Sequence, residues 1–110
     1  MAKYYDDSLS RTFGALADPT RREIVALLTA NPGCSVGALA AHLPIKLPGV
    51  TKHLDVLSRA ELIERNKTGR VVSVILTSAP MRDAHAWLER VDAFWSGSLE
   101  KLQRRLERDR

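Results

Sequence analysis

The chain has 110 residues, 45% of them hydrophobic and 27% charged, which suits one modest core and excludes a disordered or collagen-like chain. Lys and Arg outnumber Asp and Glu by 17 to 13, with a sequence pI of about 9.6, a balance that leans toward a polyanionic partner. No run reaches the ~18 apolar residues of a membrane span. The opening MAKYYDDSLS lacks an apolar signal segment, and the lone Cys34 cannot form an internal disulfide. A cytoplasmic protein with no membrane partner is expected.

Leu9, Phe13 and Leu16 fall at helical spacing and predict a first helix over residues 8–17. Asp18-Pro19 then resets the chain, because Asp caps orphan N–H groups and Pro fits the first helical position. The second helix runs to about Ala30 with Ile24, Leu27 and Leu28 inward, and Asn31-Pro32-Gly33 ends it. Ser35 is the expected N-cap of a short third helix carrying Val36, Leu39, Ala40 and Leu43, which Pro44 stops. Pro48 marks the start of a fourth helix whose apolar stripe is Val50, Leu54 and Leu57. Two short amphipathic helices joined this closely predict a helix-turn-helix.

The periodicity then changes. Leu62 to Asn66, a turn at Lys67-Thr68-Gly69, and Val71 to Thr77 read as a β-hairpin, with alternation at Val72, Val74 and Leu76. Gly69 supplies the positive φ of the turn. The result is a winged helix, mainly α with a small β-hairpin, in the order α-α-α-α-β-β-α.

From Ala79-Pro80 a last helix is expected to about residue 107, with a charged tail from Lys101 to Arg110 that frays. Leu88, Val91, Trp95, Leu99, Leu102 and Leu106 form one stripe, widened by Trp87 and Phe94. At ~1.5 Å per residue this helix is ~40 Å long and exceeds what so small a core can cover. Its surplus apolar face predicts a homodimer. Residues 1–110 are expected to form one domain, with a DNA-reading core over about 19–77 and dimerisation helices over about 8–17 and 79–107.

The second helix of a helix-turn-helix places its N-terminal residues against base edges in the major groove. With Val50, Leu54 and Leu57 turned inward, Lys46, Leu47, Gly49, Thr51, Lys52 and His53 remain outside. Thr51 offers a hydroxyl and a methyl, Lys46 and Lys52 suit phosphates or guanine edges, and Gly49 permits close approach. The wing adds Arg65, Lys67 and Arg70. From residue 46 to 70 there are six Lys or Arg (46, 52, 59, 65, 67, 70) against three acidic residues (55, 61, 64), which favours a phosphate or minor-groove grip. The bland reading of the wing charges is a solvated hairpin, and that of His53 a structural hydrogen bond. Neither a Gly-rich phosphate loop nor a nucleophile elbow occurs, so no enzyme is expected.

Four strings carry a family resemblance: Phe13 through Val25 with its Asp-Pro-Thr-Arg-Arg core, Val36-Gly-Ala-Leu-Ala, Pro48-Gly-Val-Thr-Lys-His-Leu-Asp-Val-Leu, and Gly69-Arg-Val-Val-Ser. Together they resemble the ArsR-type winged-helix repressors, and with Trp87-Leu88 and Phe94-Trp95 a metal-independent subgroup. The resemblance spans about residues 9–106. It implies a dimer built on the terminal helices, which places Leu9, Phe13, Trp87, Leu88, Val91, Phe94, Trp95, Leu99 and Leu102 at the interface. It also implies repression from an inverted-repeat operator on double-stranded DNA. The family's helix usually opens with a polar Ser and Gln or Arg, where this chain has Lys46 and Leu47, and Gly49 replaces a common Thr or Ala, so the operator does not carry over.

Some relatives sense metal. Their Cys-x-Cys site falls here on Ser35 and Gly37, with Cys34 one residue out of register. Asp83-Ala84-His85 matches half of a second site, whose other positions are Ser96 and Leu99. No metal and no cofactor are expected. Cys34, just before a helix, is a weak redox candidate. A protein-binding winged helix without specific DNA recognition is the competing function, and flat salt dependence on duplex DNA would distinguish it.

Overall fold

The computed structural model describes residues 7–109, so the expectation for the first six residues and the end of the tail at Arg110 lie outside the described residues. The elements in order are α1 (Ser8–Leu16), α2 (Pro19–Ala30), α3 (Val36–Ala41), α4 (Leu47–Arg59), β1 (Ile63–Thr68), β2 (Val71–Leu76) and α5 (Ser78–Arg108). This is the expected winged-helix order.

Capping side chains fix the helix starts. Asp7 accepts from the Ser10 N–H, Asp18 from those of Thr20 and Arg21, and Ser35 from that of Ala38. Pro19 occupies the first turn of α2, where no intrahelical N–H is lost. The Asp-Pro-Thr-Arg-Arg string also closes the helix before it. Arg21 donates through Nε to the Ala15 carbonyl at 2.6 Å and through Nη2 to that of Gly14 at 3.3 Å. Arg22 donates to Leu16 at 2.7 Å. One sequence string thus satisfies orphan N–H groups of α2 and orphan carbonyls of α1.

The core gathers Ala15, Ile24, Leu28, Leu39, Leu43, Val50, Leu54, Leu57, Ala60, Leu62, Ile63 and Val74, drawn from α1, α2, both helices of the helix-turn-helix and the wing base. Each large aliphatic side chain among them contributes roughly 1.5–3 kcal/mol by leaving water. Ile24, Val50, Leu54 and Leu57 have no exposed surface, so α4 is held along its whole inner face. Leu27 is only half-buried.

Helix α4 ends without glycine. Glu61 takes a φ of +60°, its N–H bonds to Ser58, and the Leu62 N–H reaches back to Leu57. That double bond is a Schellman closure, in which the left-handed position usually belongs to glycine. The Thr77 hydroxyl and N–H hold the carbonyls of Glu61 and Leu62, which fixes the start of α5 beside the end of α4.

The wing pairs β1 with β2 antiparallel, from Ile63 opposite Leu76 to Thr68 opposite Val71. Its turn is therefore Gly69-Arg70, which corrects the expected Lys67-Thr68-Gly69: Lys67 and Thr68 belong to β1. Gly69 has φ +64° and Arg70 lies outside the left-handed region, as in a II′ turn. The other edge of β2 is covered, since the Val74 carbonyl and N–H pair with Gly33 and Cys34. Half-buried Cys34 thus contributes backbone pairing here.

Helix α5 is 31 residues long, about 46 Å, and continues to Arg108. The charged stretch from Lys101 to Arg108, expected to fray, is helical. Its first turns pack on α1, where Phe13 and Trp87 meet edge to face at 5.6 Å. Beyond Ala84 no residue of α5 is fully buried.

Candidate nucleic-acid interface

Helix α3 and helix α4 are joined by residues 42–46, with Leu43 buried and Ile45 against the core. Burial of Val50, Leu54 and Leu57 rotates the opposite face of α4 outward. Lys46, Leu47, Pro48, Thr51 and Lys52 are exposed there, and Leu47 keeps 51% of its surface. No side chain caps the α4 N-terminus; Pro48 has no N–H, and those of Gly49 and Val50 bond to the Lys46 carbonyl at 2.9 and 3.1 Å.

The remaining sequence-predicted residues of α4 are placed differently. Gly49 is half-buried, and a Cβ on it would lie 3.6 Å from Ile45 Cδ1, an ordinary contact. That side of Gly49 faces Ile45 of the helix-helix turn. His53 is half-buried with Nδ1 3.3 Å from Arg21 Nη1 on α2. The Thr51 hydroxyl donates to the Leu47 carbonyl at 3.1 Å, leaving its oxygen as an acceptor.

On the wing, Lys67 and Arg70 are exposed near the tip. Among the described residues neither has a carboxylate partner. Arg65 does: it meets Asp55 of α4 at 2.7 Å. The wing base is thereby tied to α4. Between them lies a cleft of about 470 Å³ lined by Val36, Leu47, Thr51, Arg70, Val71 and Val72 among others. Val71, 56% exposed, was not singled out from the sequence; β-branched residues in a strand read as core.

Leu88, Phe94, Trp95, Leu99 and Leu102 are all at least half exposed on α5, Trp87 is 39% exposed, and Val91 and Leu9 are half-buried. Phe13 is half-buried by its contact with Trp87. His85 pairs with Glu89 at 3.2 Å, and among the described residues no three His, Cys, Asp or Glu side chains cluster as metal ligands. Among them, no helix is long and apolar enough to cross a membrane.

An apolar-backed helix with a polar, cationic outer face, flanked by a basic hairpin, defines a winged helix-turn-helix of the DNA-binding class. Comparison with known proteins agrees. Residues 16–66 match a helix-turn-helix domain family. The transcriptional repressor SdpR of Bacillus subtilis is 31% identical over 80 residues, covering 73% of this chain and 88% of that protein. An ArsR-like transcriptional regulator from Rhodococcus sp. RHA1 superposes with a TM-score of 0.73 at 31% identity, over 94% of this chain and 95% of its own. A crystal structure of another ArsR family transcriptional regulator gives 0.74 at 32% identity, over 81% and 91%. The chain belongs to the ArsR family of winged helix-turn-helix regulators. It is a DNA-binding transcriptional regulator.

Proposed function

We propose that the protein acts as a homodimeric repressor that reads an inverted-repeat operator with two copies of α4. The observation that carries this reading is the division of α4: Val50, Leu54 and Leu57 wholly buried, Leu47, Thr51 and Lys52 exposed. Leu47 and the Thr51 methyl supply apolar contact for thymine methyl groups, while Lys46 and Lys52 supply cations for phosphates or guanine edges. Lys67 and Arg70 extend the grip to the flanking backbone or minor groove.

The exposed stripe of α5 supports the dimer. Leu88 and Leu99, Val91 and Leu102, and Trp95 and Leu106 are each 11 residues apart. Eleven residues make almost three whole turns, so the stripe stays on one side of a nearly straight helix. A second copy covers it by presenting the same face. SdpR is named a repressor, and a homodimeric winged helix-turn-helix from Mycobacterium bovis shares the fold with a TM-score of 0.61 at 24% identity. Two reading helices about one DNA turn apart then select an inverted repeat.

The test is a Thr51→Ala, Lys52→Ala protein. It should remain dimeric and lose discrimination between operator and random duplex; unchanged operator affinity would remove α4 from the reading role.

A further inference from the structure

We infer that Arg21 is a positioning residue for DNA binding, holding His53 as an outward Nε2–H donor to a phosphate. The inference rests on the assignment of α4 as the reading helix, and neither Arg21 nor the tautomer of His53 enters that assignment.

The guanidinium makes three contacts from one planar group: Nε to Ala15 O at 2.6 Å, Nη2 to Gly14 O at 3.3 Å, and Nη1 to His53 Nδ1 at 3.3 Å. Two of these fix its plane against the end of α1, so the third is delivered in a set direction. A guanidinium only donates, and it stays charged throughout the physiological range. Nδ1 of His53 must therefore accept, which leaves the proton of the neutral ring on Nε2. His53 is only half-buried, so part of it stays accessible to solvent, and it follows directly on exposed Lys52 in α4. A fixed N–H there adds a backbone contact that sets the register of α4 on the duplex without reading sequence. The three contacts also join α1, α2 and α4 through one side chain. A lysine at 21 has the charge but not the planar fork, and it cannot serve both carbonyls and the ring at once.

The rival role for Arg21 is direct phosphate binding, and the two roles separate experimentally. In ring-15N-labelled full-length protein at a pH of about 8, where an ordinary imidazole is neutral, His53 should appear as a single Nε2–H tautomer. An Nδ1–H tautomer would overturn the proposal without any variant being made. Arg21→Gln and His53→Ala should each weaken binding to a mixed-sequence duplex by ~5- to 10-fold. The double variant should lose no more than the larger single loss, because both remove one contact. Losses that multiply, with the salt slope reduced by Arg21→Gln alone, would make Arg21 an independent phosphate ligand. Arg21→Lys should behave like Arg21→Gln, and wild-type affinity in it would show that charge alone suffices. Failure of the α4 reading would instead appear as an unaffected Thr51→Ala, Lys52→Ala protein, a result independent of the tautomer and of the cycle.

Discussion

Arg65 of the wing donates to the carboxylate of Asp55 on α4 at 2.7 Å, and this contact links the hairpin to that helix. Both side chains remain substantially exposed, 30% and 41%, so the pair adds little to stability. Its larger effect is on charge. While Asp55 holds Arg65, that cation is neutralised before any phosphate arrives. Asp55→Ala should change thermal stability by less than ~1 kcal/mol. It should also raise affinity for random duplex and steepen its salt dependence by about one phosphate contact. Titrations at several salt concentrations check this, and unchanged slopes would mean that Arg65 stays away from DNA.

Glu61 occupies a left-handed position that an L-residue adopts at a cost of about 1–2 kcal/mol. Glu61→Gly removes that strain and gives back part of it through a more flexible unfolded chain. A net gain of about 1 kcal/mol is expected, read as a higher melting temperature with DNA affinity unaltered.

Two capping carboxylates make stability depend on acid. The backbone N–H of Arg21, then that of Thr20 and the guanidinium of Arg21, hold Asp18 below the ordinary carboxylate range against a partial desolvation. The Ser10 N–H and hydroxyl do the same for Asp7. A depressed folded value means stability that is fully present above the unfolded value of about 3.9 and is lost as pH falls through the folded one. Asp18→Asn keeps a cap but cannot titrate. Its melting temperature should fall less steeply than that of the wild type below about pH 4.

The stripe on α5 can be broken without touching the core, because Leu88 and Leu99 are 50% and 59% exposed in the single chain. Leu88→Arg and Leu99→Arg should each yield folded monomers in sedimentation, with operator affinity falling as the second half-site is lost. A surviving dimer would place the interface elsewhere.

Much of this was legible before any coordinates. Asp18-Pro19, Ser35 and Pro44 punctuate the helices through local chemistry, and Val50, Leu54 and Leu57 orient α4 by spacing alone. The wing turn slipped because Lys67 and Thr68 sit on a strand whose residues after Ile63 are all exposed, so no alternation marks them. The left-handed Glu61 carries no glycine to announce it. The partners of His53 and Arg65 are 32 and 10 residues distant, and only the packed helices bring them together. Residue type indicated their polarity but not which group each would meet.

Guanine N7 lies on the major-groove floor, so methylation protection reports directly on what enters that groove. With an operator selected from random duplex, the wild-type dimer should protect guanines in two half-sites centred about one helical turn apart, and Thr51→Ala, Lys52→Ala should abolish both. Protection of a single site, or protection that persists in that variant, would contradict recognition by paired α4 helices.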